Sequence, residues 1–114
     1  MTEEGDTVRV TLRGELDVMV AGQVGEVIRR HLAAGRPQLI DLSEVVFIDS
    51  TGLAAIVKSA PTEAERALMT LRRSRHHQAN RLFALTGTDR LFRFEAEPSS
   101  EAEPASDTNG TGPA

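Results

Sequence analysis

The hydrophobic pattern of this chain changes period several times, and that alternation confines it to one fold class. Val8, Val10 and Leu12 alternate with Arg9, Thr11 and Arg13, the period-two signature of a strand with one buried face. Gly14 interrupts the alternation and Glu15-Leu16-Asp17 follow. Val20, Val24, Val27, Ile28 and Leu32 then share one helical face, with Gln23, Glu26, Arg29 and Arg30 largely opposite. Asp17 is placed to act as the N-cap of that helix, since a short carboxylate accepts bonds from its free amides. Gly35 and Pro37 stop it, because Gly accepts a left-handed cap and Pro cannot continue the ladder.

Leu39-Ile40-Asp41-Leu42 reads as a short buried strand with Asp41 at its open end, and Val45 to Ile48 as a second apolar run. Leu53, Ile56, Val57 and Ala60 recur at helical spacing as far as Pro61. Ala67 to Leu71 carries a weaker strand pattern, and a basic polar loop, Arg72 to His77, follows it. The next predicted helix holds Leu82, Phe83 and Leu85 and ends at Thr86-Gly87, after which Leu91, Phe92 and Phe94 close the core. Strands alternating with helices over short connections predict a single α/β domain, helices packed on a small sheet. The domain is expected to span residues 1–96. Beyond Pro98 no bulky apolar residue occurs, so residues 97–114 are expected to form a disordered acidic tail.

With 114 residues the chain fits one compact domain. It has no cysteine, which excludes disulfides, thiolate catalysis and Cys-based zinc sites. No apolar run approaches the length of a membrane span and no leader pattern precedes the first strand, so a soluble cytoplasmic protein is expected. The net charge of -4 is unevenly placed: Glu95, Glu97, Glu101, Glu103 and Asp107 lie in the last twenty residues, which hold no base. The 13 basic and 12 acidic residues left over give the body a charge of +1. A nearly neutral body with only 4% aromatic residues argues against a nucleic-acid binder.

The most informative stretch is Val46-Phe47-Ile48-Asp49-Ser50-Thr51-Gly52-Leu53. An apolar strand runs into an Asp-Ser-Thr-Gly turn and a helix starts at once, placing two hydroxyls at the positive end of that helix. Small hydroxyl residues there can cap the first turn, and Gly52 permits close approach of another backbone. From the residues alone, the turn is open to being a helix cap and no more.

Here the chain closely resembles the STAS family, specifically the bacterial anti-sigma factor antagonists. The resemblance rests on Phe47 to Leu53, which matches the family's phosphorylation-site motif. It is supported by Gly14-Glu15-Leu16-Asp17, by Leu39 to Ser43, and by Leu85-Thr86-Gly87-Thr88-Asp89-Arg90-Leu91-Phe92, and it covers roughly Val8 to Phe94 in consistent order. It implies a small mixed sheet with helices on one face. It also implies a partner that is both anti-sigma factor and serine kinase, and a PP2C-type phosphatase that resets the switch. Ser50, directly after the motif's Asp, becomes the expected acceptor, with Thr51 second. Asp17, Asp49, Ser50, Thr51, Gly52 and Leu53 become the expected partner-binding residues. The chain departs from the family pattern in a short, Pro61-containing stretch between Leu53 and Ala67, and in lacking a Gly pair before the strand at Ala67.

The resemblance thus implies a partner-switching transcription regulator that binds its kinase when unphosphorylated and is turned off by phosphate at Ser50. A second reading is a STAS subunit docking on the ATPase of a lipid transporter without phosphorylation. Neither reading calls for a cofactor. Enzymatic activity is not expected: Ser50 sits in no Gly-x-Ser-x-Gly elbow, and no His is identified as its base. His76-His77 are adjacent loop residues without metal-ligand spacing, and the cluster Arg72, Arg73, Arg75, His76, His77 and Arg81 reads as a solvated basic loop. A monomer is expected, since no apolar stripe is left unpaired.

Overall fold

The computed structural model describes residues 2–4 and 7–95; the expected acidic tail from residue 97 onward lies outside them. Strand β1 (Thr2–Glu4) pairs antiparallel with β2 (Thr7–Leu16). From β2 the chain passes through α1 (Ala21–Ala33) to β3 (Gln38–Ile48), then through α2 (Ser50–Ser59) and α3 (Glu63–Arg66) to β4 (Met69–Arg72). Helix α4 (His77–Thr86) and a 3-10 turn (Thr88–Arg90) lead to β5 (Arg93–Phe94). The strands lie in sequential order, and β2 to β5 are all parallel. A parallel sheet that grows in one direction through crossovers of one hand carries its helices on one face.

The burial pattern agrees with that arrangement. Val8, Val10, Ile40, Leu42, Met69 and Leu71 from the sheet join Val24, Ile28, Leu32, Leu53, Ile56 and Phe83 from the helices in a single core. Phe94 meets Phe83 edge-on, ring centroids 5.5 Å apart. On the other face of the sheet a charged ladder crosses the strands. Asp41 accepts from Arg9 at 2.8 Å and from Arg72 at 3.3 Å, and Arg72 also clasps both Glu95 carboxylate oxygens. Burial tends to raise the Asp41 carboxyl, but bonds from Arg9 and Ser43 and the charge of Arg72 outweigh it and hold its pKa at about 2. Asp41 therefore sits in the body of β3 beneath two guanidinium groups, not at an open strand end.

Two readings of β3 change. The runs 39–42 and 45–48 belong to one eleven-residue strand. Its register against β2 slips twice, between Thr11 and Arg13 and between Gly14 and Glu15, with β3 supplying the extra residue each time. Each slip breaks the alternation of faces, so Ser43 and Glu44 both lie outside the core between Leu42 and Val45, and Val46 and Phe47 are both exposed between Val45 and Ile48.

Helix α1 starts one turn later than expected, with Val20 rather than Asp17 at its N-cap. Asp17 instead closes the preceding turn: its carboxylate accepts from Met19 N–H at 3.0 Å, and its carbonyl accepts from Val20 and Ala21. At the other end, Gly35 adopts φ +71° just past the helix, a conformation that a side chain would strain. The short α3 has its own capping box, Thr62 with Glu65, immediately after Pro61. Among the described residues, no helix is long and apolar enough to cross a membrane.

Candidate functional site

The C-terminal ends of β2 and β3 meet at one edge of the sheet, where Leu16 pairs with Ile48. Chain direction makes this the edge at which α1 and α2 begin. The Leu16 carbonyl accepts from Asp49 N–H at 3.1 Å. It also lies so close to Gly52 that a Cβ built there would stand 2.2 Å from the oxygen. Gly52 is thus required by contact: the first turn of α2 rests directly on the backbone of β2.

Asp49 is the N-cap of α2. Its Oδ1 accepts from Gly52 N–H at 2.9 Å and from the Thr51 hydroxyl at 2.6 Å. The Thr51 bond, with the Gly52 amide second, holds the Asp49 carboxyl below its ordinary range, so it is an anion at neutral pH. This differs from the expectation that the two hydroxyls cap the helix: the carboxylate caps, and Thr51 donates to it. Ser50 is left as the exposed first residue of α2, its hydroxyl without a hydrogen-bond partner among the described residues.

The remaining expected residues divide by depth. Asp17 is half-buried on the same edge, one residue beyond the Leu16 carbonyl that supports Gly52. Gly52 and Leu53 lie beneath the surface, Leu53 with only 4% of its area exposed, so they shape the loop from below. Three apolar side chains on this edge were not anticipated as surface residues. Val18 and Met19 are 68% and 82% exposed in the turn after Asp17, and Phe47 is 39% exposed two residues before Asp49. The signal for the first two was present: they fall outside the helical face that begins at Val20. Beside them a groove of about 500 Å³ runs between α1 and α2, with Gly25, Ala54, Ala55 and Thr51 in its lining and the exposed Gly22 at its rim.

Beyond Asp41 strand β4 has ended, and the basic loop after it continues along β3. Ser74 Oγ donates to the Val45 carbonyl at 2.6 Å and Arg75 N–H donates to the Ser43 carbonyl at 3.3 Å. The Gln78 amide then accepts from Ile48 N–H and donates to the Ile48 carbonyl, both at 3.0 Å. Arg75, His76, His77 and Arg81 are exposed beside this junction, and Arg73 lies 4.2 Å above the Phe94 ring. The start of α4 therefore flanks the Asp49–Gly52 loop on the side away from Asp17. Among the described residues, no cluster of three or more His, Cys, Asp or Glu could hold a metal ion.

A family model described as "Mlab, STAS domain" matches residues 1–93. The chain belongs to the STAS domain family. A search of curated proteins by sequence finds no significant match to this STAS domain. Among solved structures it resembles an anti-sigma factor antagonist from Mycobacterium paratuberculosis, at 24% identity and TM-score 0.74 over 87% of this chain and 85% of the other. A Thermotoga maritima protein assigned the same role aligns at 23% identity and TM-score 0.71, covering 88% and 87%. The anti-sigma factor antagonist SpoIIAA in its unphosphorylated form aligns at 19% identity and TM-score 0.59, covering 90% of each chain. These likenesses establish the STAS fold, and they agree with the sequential, mostly parallel sheet and its four helices.

Proposed function

We propose that this STAS domain is an anti-sigma factor antagonist that binds a serine-kinase anti-sigma factor when unmodified and is released when Ser50 is phosphorylated. The observation that carries the reading is the division of labour in the loop. Asp49 and Thr51 are tied to each other and to Gly52, while the Ser50 hydroxyl next to them is exposed and free to be approached. The solved relatives named as anti-sigma factor antagonists support the same class of role.

The physical consequences of a phosphate at Ser50 differ between the free domain and a complex. In the free domain a charge of about -2 is added at a helix N-terminus, where an anion is favoured by roughly 0.3–1 kcal/mol. The fold tolerates it. In a complex covering this edge, the same group must lose water beside the Asp49 carboxylate and the apolar Val18, Met19 and Phe47. Burying an uncompensated charge, or meeting one of like sign, costs several kcal/mol. Binding should weaken by at least ~100-fold.

The test is to incubate the full chain with its serine-kinase anti-sigma factor and ATP, map the modified residue by mass spectrometry, and titrate both forms calorimetrically. One phosphate at Ser50, none in Ser50→Ala, and a ~100-fold or greater loss of affinity are expected. Equal affinity of the two forms, or modification elsewhere only, refutes the switch. Tight binding to a transporter ATPase with Ser50 unmodified moves the assignment to a transporter subunit.

A further inference from the structure

The basic loop after β4 is built rather than loose. Its anchor is the buried Ser74, whose Oγ donates to the Val45 carbonyl at 2.6 Å and accepts from His76 N–H at 2.8 Å. Asn80 closes the loop from α4, accepting from Ser74 N–H at 3.0 Å and donating to the Ser74 carbonyl at 2.8 Å. Arg73 lies over the Phe94 ring, and Gln78 ties the start of α4 to Ile48. This frame holds Arg73, Arg75, His76, His77 and Arg81 on one flank of the Ser50 loop. Among the described residues none of the five has a carboxylate within ion-pair distance. Along α4, His77, Arg81 and Leu85 follow at intervals of one turn, and Leu85 is 70% exposed.

We propose that this flank is a second docking surface, which receives an acidic patch of the protein that covers the Ser50 edge; the identity of that protein rests on the partner-switch reading. A fastened backbone presents the cations before the partner arrives, so less has to be ordered on binding. The fold leaves them no acid to neutralise, so their field is open to an incoming one, and complementarity of this kind raises association rates by roughly 10- to 1000-fold at low salt. Asp17 and Asp49 carry the opposite charge on the same edge, so a partner meets a negative and a positive end and docks in one orientation. The surroundings favour a protein over a nucleic acid. A phosphate backbone calls for cations continued along its track and, where strands are single, for aromatic faces. Here the cations give way to Leu85 along α4, and to the Asp49 carboxylate and the exposed Val18 and Met19 across the loop.

The first arm of the test needs no kinase. Amide spectra of the full chain are recorded with an oligoglutamate peptide and, separately, with a short DNA duplex. With the peptide, shifts are expected at residues 73–81, falling by at least half in 0.5 M NaCl, where the screening length is about 4 Å. They should vanish in the variant Arg75→Gln with Arg81→Gln. Shifts elsewhere, no shifts, or stronger ones with the duplex overturn the proposal. The second arm follows association of the unmodified full chain with its serine-kinase anti-sigma factor. Arg75→Gln with Arg81→Gln should associate at least ~10-fold more slowly and with a shallower salt dependence. Arg30→Gln with Arg90→Gln removes the same charge from exposed sites in the last turn of α1 and beyond the end of α4, and should change the rate by about 2-fold at most. Equal slowing by both variants, or none by the first, overturns the proposal. Absence of any kinase binding by the wild-type chain, with the peptide shifts present, removes the partner switch and leaves the acid-receiving surface standing.

Discussion

Replacing Gly52 with Ala tests the contact on which the candidate site is built. A Cβ at this position would stand 2.2 Å from the Leu16 carbonyl oxygen, 2.8 Å from its carbon and 2.9 Å from Leu16 Cβ. Carbon–oxygen contacts ordinarily settle near roughly 3.3–3.6 Å, so β2 and α2 must part by about 1 Å. Overpacking of that kind costs about 1–3 kcal/mol. Moving the Leu16 carbonyl also loosens its bond from Asp49 N–H, worth about 1 kcal/mol. Against this, Ala is favoured over Gly inside a helix by up to ~1 kcal/mol. The net expectation is a loss of about 1–3 kcal/mol, or roughly 5–15 °C in Tm for a domain of this size. Gly22 is the control: it lies on the exposed face of α1 with nothing within 4 Å of the added carbon. Gly22→Ala should stabilise by about 0.5–1 kcal/mol. Urea and thermal melts followed by circular dichroism read both. If Gly52→Ala shifts stability in the same direction as Gly22→Ala, the close approach of the two backbones is not a feature of the protein in solution.

Three further outcomes follow from the structure. Ser50→Ala should leave the Tm unchanged within a degree or two, since its hydroxyl has no partner in the described fold, whereas Asp49→Ala should lower it by roughly several degrees by uncapping α2. Asp41 has a folded pKa of about 2 against an ordinary 3.8, so its share of stability is present above about pH 4 and is lost as the pH falls toward 2. That share is about 1–2 kcal/mol with the open rim of the ladder discounted, and urea melts between about pH 2 and 7 should show it as an acid slope that Asp41→Asn reduces. Phe83→Ala, which empties the centre of the α4 contact, should cost about 3–5 kcal/mol in the same melts.

The elements that were legible in the sequence are those whose hydrophobic period runs undisturbed. Val8 and Val10 are buried with Leu12 packed partly against the core beside them, and Val24, Ile28 and Leu32 form the buried line of α1. Local rules failed where a neighbouring strand overrides them. Val46 and Phe47 look like core residues in isolation, and only the register slip against β2 turns both outward. Asp41 looks like a strand-end acid until two arginines from adjacent strands are placed over it. Asp17 has the chemistry of a cap but serves the turn before the helix, a difference of three residues that composition does not resolve. At the candidate site, the Asp-Ser-Thr-Gly turn and the role of Gly52 follow from residue type. The junction with the basic loop does not, because Gln78 and Ile48 lie thirty residues apart and no periodicity links them.

That junction gives the edge a mechanical property. A single amide side chain takes both the N–H and the carbonyl of Ile48, a task a neighbouring strand would otherwise share between two residues. Helix α4 is thereby pinned, at its second residue, to the backbone two positions before Ser50. The start of this helix and the end of the strand that leads into the Ser50 loop thus share one fastening, a single side chain whose loss would free both.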